Sequence, residues 1–121
     1  MNGIDAYQPH KGDVVLVSFD PSSGQEIRKY RPALVLSNHS YSEKTGLALV
    51  CPITHGDHNR FKAPLFIPYH GQNVEGYINP LQFHTFDYQK RGMKFVEQVS
   101  KQKLAQTISV VLDIINAQEL D

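Results

Sequence analysis

The chain has no tryptophan, a single cysteine and two methionines, and its twelve basic side chains are matched by twelve acidic ones. The lone Cys51 excludes an internal disulfide, and the balanced charge argues mildly against a protein that binds nucleic acid through its overall charge. No apolar run is long enough to cross a bilayer, and the first residues lack the basic and apolar regions of a secretory signal. We therefore expect a cytoplasmic protein.

The composition is that of an ordinary globular protein, with 40% hydrophobic and 20% charged residues in 121 positions. This length suits one compact core and leaves no room for a separate regulatory module. Internal repeats, linkers and low-complexity segments are absent from the sequence. We expect a single domain, 1–121, that holds both scaffold and site.

Runs of apolar and β-branched residues predict three strands, at 14–19, 33–37 and 47–53. Turn-forming residues occupy 20–24, and 38–46 is predicted to be a polar break. Shorter extended segments are predicted at 63–67, 76–79, 81–86 and 94–99. Together these segments predict a mainly β protein of the α+β class with a small, strongly bent sheet or partial barrel.

The last segment is predicted to be a helix that begins after Ser100, a suitable N-cap. Its apolar residues recur at helical spacing: Leu104, Ile108, Val111, Leu112 and Ile115. Val110 and Ile114 widen this face beyond what one sheet surface needs. Either a second subunit covers them or they pack under a loop.

Arg31 lies directly before Pro32, which disfavours helical geometry and predicts that Arg31 stands at the entrance of a strand. The next strand ends at Thr54. A guanidinium offers forked donors that match phosphate oxygens, and a hydroxyl can hold a phosphate through one hydrogen bond. If these two strand ends meet, they favour chemistry on RNA.

Further basic residues fall in three predicted loops: Arg28, Lys29 and Arg31; Arg60 and Lys62; Lys90, Arg91 and Lys94. Gathered on one face they form a basic groove, whereas apart they are ordinary solvated loops. Tyr30 and Phe61 stand among these charges, so each either stacks on an RNA base or anchors its loop on the core.

Several of these segments occur in the order of a known family. They are Gly12-Asp13-Val14-Val15, Phe19-Asp20-Pro21-Ser22-Ser23-Gly24-Gln25-Glu26, Arg31-Pro32-Ala33-Leu34-Val35-Leu36-Ser37, Cys51-Pro52-Ile53-Thr54 and the closing helix. On these motifs, which span nearly the whole chain, the sequence resembles the MazF/PemK family of toxin endoribonucleases, or mRNA interferases, of type II toxin-antitoxin systems.

The resemblance implies an SH3-like barrel of the CcdB/MazF/PemK toxin type with a C-terminal helix, assembled as a homodimer. It also implies sequence-specific cutting of single-stranded RNA by 2′-hydroxyl attack, with no metal and no cofactor. The expected partner is a MazE/PemI-like antitoxin whose acidic tail covers the RNA groove and whose complex with the toxin binds DNA. The family's essential arginine and threonine fall on Arg31 and Thr54.

The chemistry of these two groups sets their roles. Arg31 stays charged at physiological pH, so it suits stabilisation of a phosphorane and is a poor general base. Thr54 can orient the 2′-hydroxyl or a phosphate oxygen, but its hydroxyl does not readily give up a proton alone. The structural alternatives are an ion pair of Arg31 with Glu26 and a turn hydrogen bond of Thr54.

The chain departs from the family at Leu81, which stands where some members carry an acidic proton acceptor before a glutamine. The acceptor role is therefore vacant, filled by water, or taken by His55 or His84, because imidazole titrates near neutral pH. Either histidine can equally be an ordinary loop residue. Asn79, Gln82 and His84 are candidates to read the edges of RNA bases.

Other readings of the sequence remain. A zinc site at His55-Gly56-Asp57-His58 is rejected because four ligands and a cysteine pair are lacking. The second functional class is a non-enzymatic toxin of the same fold that binds a protein such as gyrase, against which the pairing of Arg31 with Thr54 argues. The third is a degenerate member that binds RNA or an antitoxin without cutting.

Overall fold

The computed structural model describes residues 6–19, 30–55 and 65–116. The strands of these ranges are β1 (Asp13–Ser18), β2 (Tyr30–Val35), β3 (Leu47–Thr54), β4 (Ile67–His70), β5 (Glu75–Ile78), β6 (His84–Asp87) and β7 (Lys94–Gln98). The helices are α1 (His39–Thr45) and α2 (Lys101–Asn116). Neither helix is long and apolar enough to cross a membrane.

The strands form an antiparallel sheet in the order β4-β5-β3-β2-β1-β7, with β6 also paired to β3. The eight-residue strand β3 is the centre of this arrangement. Its first half pairs with β6, so that Val50 faces His84, and its end pairs with β5, so that Thr54 faces Tyr77. The sheet curls into a half-barrel with a C-terminal helix, which confirms the predicted fold class.

Alternation along the strands divides the buried side chains between two cores. One lies between the sheet, β4, β5 and α2, and contains Leu34, Ile53 and Val111. The other fills the inside of the curl and includes Val17 and Phe86. Both faces of β1, β2 and β3 are covered, which explains why these strands read as nearly continuous apolar runs.

Cys51 belongs to the first core and is fully buried. Burial raises the pKa of its thiol to about 12, so the thiol stays protonated at neutral pH. Cys51 is therefore an inert core residue and not a nucleophile.

Helix α1 lies where the sequence predicted only a polar break, and that prediction is wrong. Asn38 caps its start, because the Asn38 side chain accepts a hydrogen bond of 2.8 Å from the backbone N–H of Tyr41. Gly46 ends it in the left-handed region, at a φ of 76°, and its N–H donates to the carbonyl of Ser42. Both capping residues can be recognised in the sequence, and they stabilise a helix that lacks an apolar face.

Helix α2 begins as predicted. The Ser100 hydroxyl accepts a 3.2 Å hydrogen bond from the backbone N–H of Lys103. Of the residues that recur at helical spacing, Val111 is buried, whereas Leu112 and Ile115 are 47% and 62% exposed. Ile114 is also half exposed, which shows that no described loop covers this part of the helix.

Two of the shorter strands differ from prediction. Strand β4 begins at Ile67, where the predicted strand was to end, and residues 63–64 lie outside the described ranges. Strand β6 begins at His84 rather than Leu81, because Asn79 and its neighbours form a turn first. In that turn the side-chain oxygen of Asn79 accepts a 3.0 Å hydrogen bond from the N–H of Leu81.

Candidate functional site

The predicted site residues come from strand ends at one edge of the sheet. Strand β1 ends at Ser18, β2 begins at Tyr30, β3 ends at Thr54 and β6 begins at His84. Because β1 and β3 run antiparallel to β2 and β6, the last residues of β1 and β3 and the first residues of β2 and β6 lie toward the same edge of the sheet. The edge therefore collects side chains that lie far apart in the sequence.

Arg31 and Thr54 stand on neighbouring strands and on the same face. The pairing of β2 with β3 runs from Val35 and Val50 to Ala33 and Pro52. Arg31 and Thr54 lie two residues beyond the last pair of this ladder, on the same face of the sheet as Ala33 and Pro52. A phosphate bound at this edge can therefore meet a guanidinium from β2 and a hydroxyl from β3.

Arg31 and Thr54 are both accessible enough to contact a bound phosphate. Arg31 is exposed and Thr54 is half-buried. On its other side Arg31 pairs with the buried Val17, so the arginine stands on the inner face of the curl where that face opens to solvent. The guanidinium is thus carried by a rigid strand and not by a loop.

Described members of two predicted basic groups lie at this edge: Arg31 in β2, and Arg91 with Lys94, of which Lys94 belongs to β7 and not to a loop. The Nζ atom of Lys94 lies 5.6 Å from the centre of the Tyr30 ring. Arg91 donates from Nη1 to the carbonyl of Ser18 at 3.1 Å. These contacts add two cations to Arg31 at the ends of β1 and β2, and they leave Tyr30 half-buried beside them.

The turn that contains Leu81 is held by Asn79. Asn79 is 6% exposed, and its N–H donates to the carbonyl of Pro52 at 2.9 Å. Its side-chain nitrogen also donates to the side-chain oxygen of Gln82 at 3.0 Å. The amide of Asn79 is therefore engaged within the protein, whereas Gln82 is exposed and Leu81 is half-buried.

The two candidate histidines occupy different places. His55 follows Thr54 directly and is exposed. His84 is also exposed but faces Val50, four residues before Thr54, which corresponds to about 13 Å along a strand. Its ring stacks on Phe86, with centres 5.6 Å apart, and meets Phe19 edge-on at 6.3 Å.

The aromatic contacts of His84 are the feature that sequence reasoning missed. Phe19 and Phe86 were not predicted as site residues, although Phe19 continues the alternation of Val15 and Val17 beyond the end of β1. That alternation indicates the face of Phe19. Its contact with β6 depends on how the sheet curls, which the sequence pattern does not encode.

Five predicted RNA-binding residues lie outside the described residues: Arg28, Lys29, Arg60, Phe61 and Lys62. The part of the proposed zinc motif after His55 also falls there. Among the residues that the structure describes, no three His, Cys, Asp or Glu side chains are grouped closely enough to hold a metal ion.

Comparison with known proteins places this fold and these residues in a family. The model of the PemK-like, MazF-like toxin of type II toxin-antitoxin systems matches residues 10–115. The endoribonuclease toxin MazF of Escherichia coli K12 is 30% identical over 112 residues, which cover 93% of this chain and 97% of that protein. The endoribonuclease toxin ChpB of the same strain is 39% identical over 87 residues, 69% of this chain and 74% of that protein.

Solved structures agree. MazF from Deinococcus radiodurans superposes with a TM-score of 0.77 at 26% identity, over 90% of this chain and 97% of that one. A MazE-MazF structure from the same organism gives a TM-score of 0.77 at 23% identity, over 93% of this chain and 99% of that one. The second likeness shows the fold alone.

Proposed function

This chain belongs to the PemK-like, MazF-like family of type II toxins, and we propose that it is an endoribonuclease toxin that cuts single-stranded RNA at short sequences. The observation that carries the proposal is the placement of Arg31 and Thr54 on one face of neighbouring strands, each two residues beyond the last pair of the ladder, Ala33 and Pro52. Relatives named as endoribonucleases support it, since they match over most of the chain.

The proposed reaction uses the neighbouring 2′-hydroxyl of the RNA as the nucleophile. The hydroxyl loses its proton, its oxygen attacks the phosphorus, and the 5′-oxygen leaves after it gains a proton. Charge grows on the non-bridging oxygens in the transition state, where a fixed cation is most useful. Arg31 supplies that cation, because its exposed guanidinium stands on a strand and offers donors in a fork that matches phosphate geometry.

Thr54 positions the reacting groups. Its hydroxyl accepts or donates one hydrogen bond and holds the phosphate or the 2′-hydroxyl in line for attack. Neither Arg31 nor Thr54 is suited to take the proton. Leu81 cannot take it either, so the acceptor is water or an exposed imidazole, and His55 is the one adjacent to Thr54 in the chain.

RNA binding is proposed to extend from this pair over the cations at the sheet edge. Arg91 and Lys94 are held there, and Tyr30 supplies a ring beside Lys94. Gln82 is placed to read a base edge, and Asn79 acts by positioning Gln82. The residues of 28–29 and 60–62 remain predicted contacts.

The proposed partners are a MazE/PemI-like antitoxin and a second copy of this chain. The complexes of related folds with their antitoxins support the first. The exposed apolar end of α2, with Leu112, Ile114 and Ile115 each 47–62% accessible, supports the second. We further propose that 1–121 acts as one domain in the cytoplasm, where mRNA is the substrate.

A cleavage assay tests the proposal. Purified protein is incubated with mixed-sequence single-stranded RNA and a chelator, beside Arg31→Ala and the control Lys101→Ala, which removes an exposed cation from α2. We expect chelator-resistant fragments from the wild type and the control, and none from Arg31→Ala.

The alternatives give other outcomes. A non-enzymatic toxin that traps a protein yields no fragments and no RNA binding. A degenerate member binds RNA but leaves it intact. Cleavage that requires a divalent ion overturns the metal-free mechanism while keeping the nuclease.

A further inference from the structure

Four side chains form a compact cluster on the face of the sheet that carries Arg31 and Thr54: Phe19, His84, Phe86 and Arg91. Phe19 meets Phe86 edge-on with ring centres 5.1 Å apart. The guanidinium carbon of Arg91 lies 4.2 Å from the centre of the Phe86 ring. With the His84 contacts described above, each member touches at least one other, and we call this group the aromatic cluster.

The aromatic cluster has an inner and an outer layer. Phe86 is 6% exposed and forms the base, whereas His84 is exposed and forms the outer surface. The Phe86 ring lies nearly parallel to the imidazole and offset from it, with planes only 15° apart, and the Phe19 ring meets the imidazole edge-on, with planes at 86°. An exposed ring held in this way presents a flat face at little conformational cost.

The cluster stands on the same face as the proposed site. His84 pairs with Val50, Arg31 pairs with Val17, and both valines belong to the core inside the curl. The separation of about 13 Å along β3 between His84 and the level of Thr54 is too long for direct action at one phosphate. This separation suits contact of His84 with a neighbouring nucleotide of the same RNA strand.

The aromatic cluster also carries a positive charge, which suits a ligand with a phosphate backbone. Arg91 covers the Phe86 ring and uses one nitrogen for the carbonyl of Ser18, which fixes a cation beside the exposed imidazole. Proteins that hold single-stranded RNA combine such rings, on which bases stack, with cations that track the backbone. The cluster combines both on a rigid strand.

We propose that the aromatic cluster is a nucleobase subsite, in which His84 is the stacking platform and Arg91 contacts the adjacent phosphate. This inference rests on the proposed function, because it takes single-stranded RNA as the ligand. It assigns His84 to affinity and base preference and leaves proton transfer to another group.

The test measures binding without cleavage. A fluorescent mixed-sequence RNA with 2′-O-methyl groups cannot supply the nucleophile, and its fluorescence anisotropy reports affinity alone. His84→Ala is compared with His84→Phe, which keeps a stacking ring, and with Thr85→Ala. Thr85 is an exposed neighbour that pairs with Leu49 on the opposite face of the sheet, so it is a matched control.

We expect His84→Ala to weaken binding by about five- to tenfold, the lower end of what one stacked base contributes. His84→Phe and Thr85→Ala are expected to stay close to the wild type. Equal affinity of His84→Ala and wild type overturns the subsite. So does equal weakening by Thr85→Ala, or failure of the wild type to bind this RNA.

Unmodified RNA then separates the two proposals. If the wild type binds the methylated RNA in a His84-dependent way but never cuts unmodified RNA, the nuclease proposal fails and the subsite stands. If the wild type cuts, sequencing of the fragment ends is expected to show a base preference at one flanking position that His84→Ala loses. Cleavage with an unchanged preference in His84→Ala overturns the assignment of base preference to His84.

Discussion

Gly76 of β5 lies directly against the backbone of Thr54. A β-carbon built at Gly76 would come 2.4 Å from the carbonyl oxygen of Thr54, closer than such atoms approach in proteins. The two strands pair at Thr54 and Tyr77, so the β4-β5 hairpin can approach the proposed active site only because residue 76 has no side chain. The placement of Thr54 thus depends on a glycine in another element.

Gly76→Ala is therefore expected to lower kcat for RNA cleavage, because the added methyl group pushes the end of β3 and moves the Thr54 hydroxyl. The matched control is Gly46→Ala, which also has a positive φ but has open space around it. We expect Gly46→Ala to cost about 1 kcal/mol of folding free energy and to keep kcat. Urea unfolding and single-turnover cleavage measure the two effects, and equal kcat in both variants contradicts the prediction.

Substitutions of Thr54 test the effect of its hydroxyl on cleavage separately from the effect of its branched shape. Thr54→Val keeps the branched shape and removes the hydrogen bond, so we expect kcat to fall by about 10- to 100-fold, as for a transition-state hydrogen bond to a charged group. Thr54→Ser keeps the hydroxyl and is expected to retain most activity. Steady-state cleavage of a defined oligonucleotide gives kcat and KM, and full activity of the valine variant shows that the hydroxyl has no role.

His55 is the histidine that we expect to govern the pH dependence. If its imidazole accepts the proton of the 2′-hydroxyl, His55→Ala lowers the rate and changes the pH profile of cleavage. His84→Phe is expected to keep the profile, since His84 acts by stacking. Rates measured from pH 5 to about pH 9 decide the matter, and an unchanged profile in His55→Ala points to water as the acceptor.

Glu97 fastens the β4-β5 hairpin to β7. Its carboxylate accepts a 2.5 Å hydrogen bond from the Tyr69 hydroxyl and one of 2.9 Å from the N–H of Asn73. Desolvation by burial acts to raise the pKa of Glu97, but these hydrogen bonds outweigh it and hold the pKa below its ordinary value. The carboxylate therefore stabilises the fold above the pKa of an unfolded glutamate, about 4.3, and this stabilisation is lost as the pH falls through the lower folded value.

Glu97→Gln is expected to reduce the free energy of unfolding by about 1 kcal/mol at pH 7 and to flatten its decline in acid. The control is Glu43→Gln, an exposed glutamate on α1. Urea unfolding at pH 7 and at about pH 3.5 provides the measurement. An acid dependence that stays the same in Glu97→Gln shows that the hydrogen bonds to Glu97 carry no net stabilisation.

The local patterns of the sequence predicted much of the fold. Apolar β-branched runs located β1, β2 and β3, and the helical spacing after Ser100 located α2. The missed helix has a physical cause. Helix α1 depends on its caps at Asn38 and Gly46 more than on an apolar face. Helical spacing also did not show that Leu112 and Ile115 are exposed, although they recur with the buried Val111.

The candidate site, like the fold, was predicted from the sequence only in part. The residue types of Arg31 and Thr54, and their positions at the ends of strands, follow from the chain itself, because proline restricts the residue before it and apolar runs have readable limits. Which side chains meet does not follow. Strand pairing decides that Arg31 and Thr54 lie on one face of neighbouring strands, and the curl of the sheet decides that Phe19 reaches His84, from 65 positions away in the chain. Such contacts depend on pairings between distant segments, and only the tertiary structure brings those segments together.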